Sequence, residues 1–375
     1  MRRTTAALIL LSAVAAGCGD SSDTTAPPPW KCPAGGTQGR VVTADWLAGS
    51  LTIFDLERLV DPACSVDEAR DGTVDLSAFP PGPLEVEIAP DKKTAVVAVG
   101  PGFFDGAAGA VVGSPAVPAG GALLVVDVEA RAVVHEVAVE KAPMGIAIAP
   151  DGKTAFVTEY GSEGDRGSRL LVVDLDAGAV VDAVEVGEGP GQVRLDREGA
   201  LGIVNVDSLG GVRVFSAADV ASMSAAAPAG KDPGDIAWIA GTSRTVVTCS
   251  IPFSYSVVDA SDPAAPTSLE VVELGGSPYA VTPVPGTTRV LAPLLITGVL
   301  LPIDAGATPS VELEGVPLAS SAFTLGVAVD PSARWAFTAH ASDRTLSIVD
   351  LEGGEPRGVT WLDATGPTYV AIAPP

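Results

Sequence analysis

The chain has 375 residues and a formal net charge of −24 at pH 7, and 47% of its residues are hydrophobic whereas only 5% are aromatic. This acidic balance disfavours nucleic acids and anionic membrane surfaces as partners, because both would repel the chain. The apolar content excludes an intrinsically disordered chain, and its richness in Val, Ala, Leu and Ile favours many short strands. The simplest interpretation of the charge is a solvated acidic surface.

The first 17 residues have the pattern of a signal peptide. Arg2 and Arg3 are followed by the apolar run Ala6–Ala16, which is too short to span a bilayer. The run leads into Ala-Ala-Gly-Cys, which resembles a bacterial lipobox, and the resemblance implies that Cys18 carries the lipid and becomes the new N-terminus. An ordinary secretory signal cleaved nearby is the alternative. We expect a cell-envelope protein that meets the membrane only through this lipid, and Gly19 in place of an Asp favours the outer membrane of a two-membrane bacterium.

Residues 18–39 are polar and rich in Pro and Gly, which predicts a flexible tether. In an oxidising compartment we expect one disulfide among the three remaining cysteines. Cys32 and Cys64 are the favoured pair, because both lie in loop-like sequence near the N-terminus. Cys249 lies in a strand pattern, where it would be a small buried hydrophobic residue. Sequence alone does not fix the connectivity.

A unit of about 44 residues repeats along the chain. In the copy at Pro143–Ser162, the runs Ile146–Ala149 and Ala155–Glu159 read as two strands around a Pro-Asp-Gly turn, in which Pro presets φ and Gly supplies a positive φ. A third run, often ending in Val-Asp, and a fourth apolar run follow in the full units. Each unit therefore predicts four short strands, a to d, as in one blade of a β-propeller.

The two chain ends complete one further unit. Full units begin near positions 83, 143, 190, 233, 278 and 324, whereas Arg40–Leu56 matches strands b and c and Pro367–Pro375 matches strand a. The predicted fold of residues 40–375 is all-β: a seven-bladed β-propeller of four-stranded antiparallel blades, with the ring closed by N-terminal strands b, c and d and C-terminal strand a. In the fourth blade, residues 216–227 fit either a short helix or strand d.

The IAPDGKTAFVTEYGS unit and the closing VVDL resemble the YVTN-repeat propellers, a lactonase-like seven-bladed family of secreted bacterial proteins. The resemblance covers roughly residues 40–375. It implies the fold but leaves the activity open, since the family includes surface proteins without known chemistry, sugar-lactone hydrolases and relatives of amine dehydrogenase subunits.

One face of the predicted propeller is favoured for binding. Loops b–c and d–a share it, and it carries the long insertions Gly100–Gly121 and Tyr160–Ser168. The opposite face, with the a–b turns, is expected to point toward the membrane. The Asp residues that end strand c precede the c–d turns, where we expect them to accept backbone N–H groups rather than to bind a metal.

The ends of strand b and the neighbouring loop residues differ from blade to blade, which repetition alone does not require. The candidate binding residues there are Asp45, Trp46, Phe103, Phe104, Glu159, Tyr160, Asp207 and His340. The carboxylates could bind Ca²⁺ or act as a general base on water, and His340 could move a proton. The alternatives are solvated loop-edge residues and, for the two Phe residues, half-buried loop anchors.

Catalytic motifs are missing from the sequence. Two histidines exclude a three-His zinc site, and there is no HExxH, clustered-cysteine, Gly-x-Ser-x-Gly or Walker pattern. No cofactor is required. We expect a monomeric, non-enzymatic scaffold that binds a protein, peptide or glycan on the b–c/d–a face. The alternatives are a lactonase-type hydrolase using Glu159, Asp207 or His340 over the central channel, and a redox-partner or cofactor-binding propeller.

Overall fold

The computed structural model describes residues 32–34, 39–102, 104–105, 120–318, 323–352, 355–363 and 366–373. The proposed signal peptide, Cys18 and Phe103 lie outside these residues, as does most of the expected tether. No helix in the described part of the chain is long and apolar enough to cross a bilayer. Its strands form seven antiparallel sheets.

The strands follow one another blade by blade. Blade 1 begins with β1 (Arg40–Asp45), β2 (Ser50–Asp55) and β3 (Arg70–Asp75). Blade 2 contains β4 (Pro83–Ile88), β5 (Thr94–Val99), β6 (Ala122–Asp127) and β7 (Ala132–Val137). Blade 3 contains β8 (Pro143–Ile148), β9 (Thr154–Gly161), β10 (Arg166–Asp174) and β11 (Ala179–Glu185). Blade 4 contains β12 (Pro190–Leu195), β13 (Leu201–Val206), β14 (Gly211–Ser216) and β15 (Ala227–Pro228).

The remaining strands complete the ring. Blade 5 contains β16 (Lys231–Trp238), β17 (Arg244–Ile251), β18 (Ser254–Asp259) and β19 (Thr267–Glu273). Blade 6 contains β20 (Thr282–Pro283), β21 (Arg289–Leu294), β22 (Val299–Asp304), β23 (Val311–Glu312) and β24 (Val316–Pro317). Blade 7 contains β25 (Thr324–Val329), β26 (Trp335–His340), β27 (Thr345–Glu352) and β28 (Glu355–Asp363), and β29 (Pro367–Ala373) ends the described chain.

The seven-bladed propeller predicted from the repeats is confirmed. In blade 1 the C-terminal β29 pairs with β1, with Ala373 opposite Arg40 and Pro367 opposite Asp45. Two blades depart from the regular pattern. Blade 4 has 3-10 turns at Asp207–Leu209 and at Val220–Ser222, the second before a two-residue strand d, and in blade 6 both β23 and β24 pair with β22.

The core consists of apolar layers between neighbouring blades. Each of seven buried clusters draws side chains from two adjacent blades. At the junction of blades 7 and 1, for example, Phe337 and Leu346 pack with Val41 and Phe54. These clusters lie at all seven junctions of the ring, so each blade packs through apolar side chains against both of its neighbours. Burial of such surface is the main favourable term in folding.

The turns use the chemistry expected from the repeat. Gly152 adopts a positive φ of 69°, and the Asp151 carboxylate accepts the backbone N–H groups of Lys153 and Thr154. Carboxylates that end strand c accept backbone N–H groups in the same way; they belong to Asp55, Asp127, Asp174, Asp259 and Asp304. Asp350 instead pairs with Arg334, with an Nη2–Oδ2 distance of 2.8 Å. Apart from Asp350, these carboxylates therefore cap the backbone that follows strand c.

The connection between β2 and β3 contains two short helices, α1 (Leu56–Val60) and α2 (Val66–Ala69). A disulfide joins Cys64, between these helices, to Cys32. Cys249 is buried in blade 5 as a free thiol.

Candidate functional site

The candidate residues at the ends of strand b fall into two groups according to the register of their strands. Glu159 lies opposite Pro143, and His340 lies opposite Thr324, at the start of the neighbouring strand a. In blade 4 the equivalent position is Val206, so Asp207 lies one residue further along the chain. Successive residues of a strand point to opposite faces, which separates Tyr160 from Glu159 in β9, whereas Asp207 begins a 3-10 turn after its strand has ended. The predicted set therefore contains two registers with different surroundings.

Asp45 and His340 lie in the first register and are fully buried. Asp45 accepts hydrogen bonds from the hydroxyls of Thr43 and Thr52, at 2.9 and 2.6 Å. His340 contacts the hydroxyl of Thr324 through Nδ1 at 2.9 Å and that of Ser347 through Nε2 at 2.8 Å. Burial lowers the pKa of His340 to about 4, so the imidazole is neutral at physiological pH.

Glu159 shares this register and is also buried. Its Oε1 accepts the backbone N–H of Glu140 at 2.8 Å, and its Oε2 accepts Nε–H of Arg169 at 2.7 Å. Asp45, Glu159 and His340 therefore belong to three separate hydrogen-bond networks within their own blades. They do not converge over the channel, as a shared catalytic site would require.

Two of the aromatic candidates, Trp46 and Phe104, form a buried anchor. The rings of Trp46 and Phe104 lie 4.6 Å apart between centroids, and both side chains are buried. The Trp46 indole donates a hydrogen bond to the carbonyl of Gly100 at 3.1 Å. They pack with Phe323 and Leu325 beside the mouth of the channel. This contact ties blade 1 to the start of the long blade 2 loop.

The remaining two candidates, Tyr160 and Asp207, line one cavity of about 410 Å³. Its lining combines residues that follow strand b with residues near the start of strand a and in the adjoining d–a loops. The lining residues are Met144, Tyr160, Glu163, Gly191, Asp207, Asp232, Pro233, Gly234, Ser250, Ser277, Tyr279, Leu295, Phe323 and Leu325. We call this cavity the face pocket. Its volume is in the range of small-molecule sites.

A charged cluster forms one wall of the face pocket. Arg166 places Nη1 2.6 Å from Oδ2 of Asp207 and Nη2 3.0 Å from Oε1 of Glu163. Its guanidinium carbon lies 4.4 Å from the ring centroid of Tyr160, whose hydroxyl donates to Glu163 at 3.1 Å. Such stacking and pairing hold the Arg166 fork in one orientation.

The pocket carries more negative than positive groups. Glu163, Asp207 and Asp232 line it, whereas Arg166 is the cation that contacts this cluster. Burial raises the pKa of Asp207 to about 7, although Arg166 opposes the rise. Burial also raises the pKa of Asp232. Near neutral pH the charge of the pocket is therefore sensitive to pH.

Part of this site has a signal in the sequence. The pattern predicts an inserted loop at Tyr160–Ser168, which contains both Glu163 and Arg166; in the structure β9 and β10 extend into this segment, and only residues 162–165 connect them. Asp232 was missed, although it directly precedes the repeated Pro233; in the structure it adopts a positive φ of 55°. Tyr279 follows the repeated Pro278, at the position that Gly191 and Gly234 occupy in blades 4 and 5. Only the larger side chain distinguishes it from them in the sequence.

A second charged cluster lies in the channel, where Arg194 of blade 4 bonds to Glu85 of blade 2 and Asp235 of blade 5, both at 3.0 Å. Among the described residues, no group of three or more His, Cys, Asp or Glu side chains is arranged to hold a metal ion. The structure therefore offers no support for a Ca²⁺ site built from the predicted carboxylates.

No protein-family model and no curated protein sequence matches the chain. Solved structures do resemble it. The periplasmic gluconolactonase PpgL of Pseudomonas aeruginosa superposes with a TM-score of 0.65 at 14% identity, covering 90% of this chain and 99% of that one. A functionally unknown protein from Desulfotomaculum acetoxidans gives 0.65 at 12% identity with the same coverage.

Apo AztD from Citrobacter koseri is more distant, with a TM-score of 0.52 at 13% identity, covering 88% of this chain and 84% of that one. At these identities the likeness concerns the fold alone, because one propeller scaffold supports many different sites. The chain is thus similar in fold to solved bacterial structures that include a periplasmic gluconolactonase.

Proposed function

We propose that this chain is a lipid-anchored, extracytoplasmic binding protein whose face pocket captures a basic side chain of an envelope protein or peptide. The observation that carries the proposal is the charge of the pocket: Glu163, Asp207 and Asp232 line it, and among the described residues only Arg166 forms ion pairs with this set. A Lys or Arg side chain would complement the unbalanced carboxylates. Electrostatic complementarity of this kind contributes specificity and speeds association.

The apolar part of the pocket fits the stem of such a side chain. Met144, Leu295, Phe323 and Leu325 line it together with Tyr279. Lys and Arg bury their methylene stems on apolar surface while the charged head remains near polar groups. A neutral sugar would leave the excess negative charge that Arg166 does not balance, so a basic peptide is favoured over an uncharged glycan.

Peptide binding by the purified protein without residues 1–18 tests this proposal. We expect lysine-containing peptides to bind more tightly than the same peptides with acetylated lysine, in isothermal titration calorimetry. Asp207→Asn should weaken binding at least about tenfold, since hydrogen bonds to charged groups contribute about 1.5–3 kcal/mol. Asp165→Asn is the matched control, because the Asp165 carboxylate pairs with exposed Lys141 outside the pocket.

Equal binding of acetylated and unmodified peptides would contradict the cationic ligand. Binding of amino sugars but not peptides would assign the pocket to a glycan instead. The anchoring part is tested separately by expressing Cys18→Ser. We expect the wild-type protein in the membrane fraction with a lipid-modified N-terminal peptide, and the variant without that modification. Identical fractionation and an unmodified Cys18 would disprove the anchor.

A lactonase-type hydrolase is the second candidate, favoured by one observation in the pocket. Asp207 has its pKa raised to about 7, which suits a general base on water, and Arg166 beside it could hold an anionic oxygen. Glu159 and His340 would take no part, because both are buried outside the pocket. Hydrolysis of a panel of sugar lactones that disappears in Asp207→Asn would establish this activity, and no turnover by the wild-type protein would exclude it for those substrates.

A further inference from the structure

A small chamber adjoins the face pocket. Met144, Tyr279 and Leu325 line both cavities. The other residues lining the chamber are Leu84, Glu85, Phe104, Gln192, Thr368 and Tyr369. Its volume is about 20 Å³, which is sufficient for one particle of about the size of a water molecule.

Two buried oxygen atoms of residues that line this chamber have no hydrogen-bond partner among the described residues. They are Oε2 of Glu85 and Oε1 of Gln192, and the two side chains are only 1% and 3% exposed. The Gln192 amide lies close enough to lower the pKa of Glu85, but neither orphan oxygen meets hydrogen-bond geometry. An unpartnered buried acceptor is costly, so such groups in native proteins normally contact a further ligand.

The charges around the chamber do not balance. Oε1 of Glu85 accepts Nη1–H of Arg194, and Oδ1 of Asp235 lies 3.0 Å from Nη2 of the same residue. Two almost fully buried carboxylates thus share one guanidinium. Half-buried Glu87 lies nearby and adds to the negative potential at Glu85. Together with Arg194, a single positive charge in the chamber would neutralise the two ionised carboxylates.

We infer that the chamber is a binding site for one monovalent cation of the size of potassium or ammonium, held by Glu85 Oε2 and Gln192 Oε1. The site provides one carboxylate and neutral oxygens, which suits a single positive charge better than the higher charge of Ca²⁺, whose sites supply six to eight oxygen ligands. The rings of Phe104, Tyr279 and Tyr369 line the remaining wall, and aromatic faces attract cations.

A proton is the competitor for this place. Burial raises the pKa of Glu85 to about 8, against the opposing effect of Arg194 and with smaller contributions from Glu87 and Asp235. Alkaline conditions therefore ionise Glu85 and open the site to the cation. Because the proton and the cation compete, cation binding should strengthen as pH rises from 6 to 9.

Crystals of the wild-type protein at pH 9, soaked in rubidium or thallium chloride, test the inference directly. We expect an anomalous peak in contact with both Glu85 and Gln192, and a weaker peak at pH 6. Glu85→Gln should abolish the peak. Glu87→Gln is the matched control, because it removes a nearby negative charge without altering the lining of the chamber, and it should retain the peak.

Thermal unfolding provides a second readout in solution. At pH 9 and equal ionic strength, the midpoint should be higher in potassium chloride than in choline chloride, for the wild type and Glu87→Gln but not for Glu85→Gln. If Glu85→Gln does not fold, Gln192→Met removes the other ligand oxygen with little change in volume and should show the same loss. An empty anomalous map at pH 9, or equal midpoints in the two salts, would assign the chamber to water or a proton and overturn the inference.

Discussion

Arg194 and Glu85 meet across the channel although 109 residues separate them, with Nη1 3.0 Å from Oε1. The same guanidinium reaches Asp235 and donates to the hydroxyl of Tyr369. These contacts join blades 2, 4 and 5 to the C-terminal strand of blade 1. One side chain therefore links the strand that closes the ring to three other blades.

Removing this guanidinium should destabilise the fold strongly. In Arg194→Met the carboxylates of Glu85 and Asp235 lose their common cation, and breaking a buried pair typically costs about 3–5 kcal/mol. The loss should be smaller at pH 5 than at pH 8, because the carboxyls can then be protonated in the folded state. Urea unfolding at both pH values measures it. Arg334→Met, which removes an exposed pair with Asp350, is the control. An equal loss of stability in Arg194→Met at both pH values would contradict the explanation.

His340 should make the fold sensitive to acid. Its pKa is about 4 in the folded protein and about 6.5 when exposed, so the folded state binds the proton less tightly. Above pH 6.5 the neutral His340 causes no loss of stability. As pH falls from 6.5 to 4, its unfavourable protonation in the folded state lowers the free energy of unfolding by roughly 3 kcal/mol in total. In His340→Gln the free energy of unfolding should lack this component. His135→Gln, on the outer strand of blade 2, should keep the wild-type profile.

Glu159 should be a stabilising residue rather than a binding residue. Its carboxylate accepts two backbone N–H groups and pairs with Arg169, so Glu159→Gln should cost about 1.5–3 kcal/mol in chemical unfolding. Glu140 pairs with the same Arg169 but is exposed, so Glu140→Gln should leave stability almost unchanged. Peptide affinity should be the same in both variants, and a selective loss of affinity in Glu159→Gln would place this residue in the site.

Asp207 should control the pH dependence of ligand binding. Its pKa of about 7 means that the face pocket gains negative charge as pH rises from 6 to 8. A cationic peptide should therefore bind more tightly at pH 8, and Asp207→Asn should remove most of that change. Titration calorimetry at pH 6, 7 and 8 measures the effect, with Asp165→Asn as control. Stronger binding at pH 6 would indicate an anionic ligand.

Some of the site could be inferred from sequence and some could not. The Tyr160–Ser168 insertion identified a loop that lines the face pocket, and Asp207 was selected because blade 4 differs from the others at that point. Asp45, Glu159 and His340 were selected by the same reasoning, yet they lie one register position away and face hydrogen-bond partners inside the blades. An alignment uncertain by one residue cannot separate the two faces of a strand.

The sequence by itself determined the fold, because strand alternation, the Pro-Asp-Gly turns and the two partial units at the chain ends are local patterns that repeat. Only the tertiary structure decided which polar residues meet. Arg166 pairs with Asp207 across two blades, and Arg194 joins residues from positions 85 to 369. Such contacts depend on the curvature of the ring and on the register of each strand a, and neither has a signature in any single repeat.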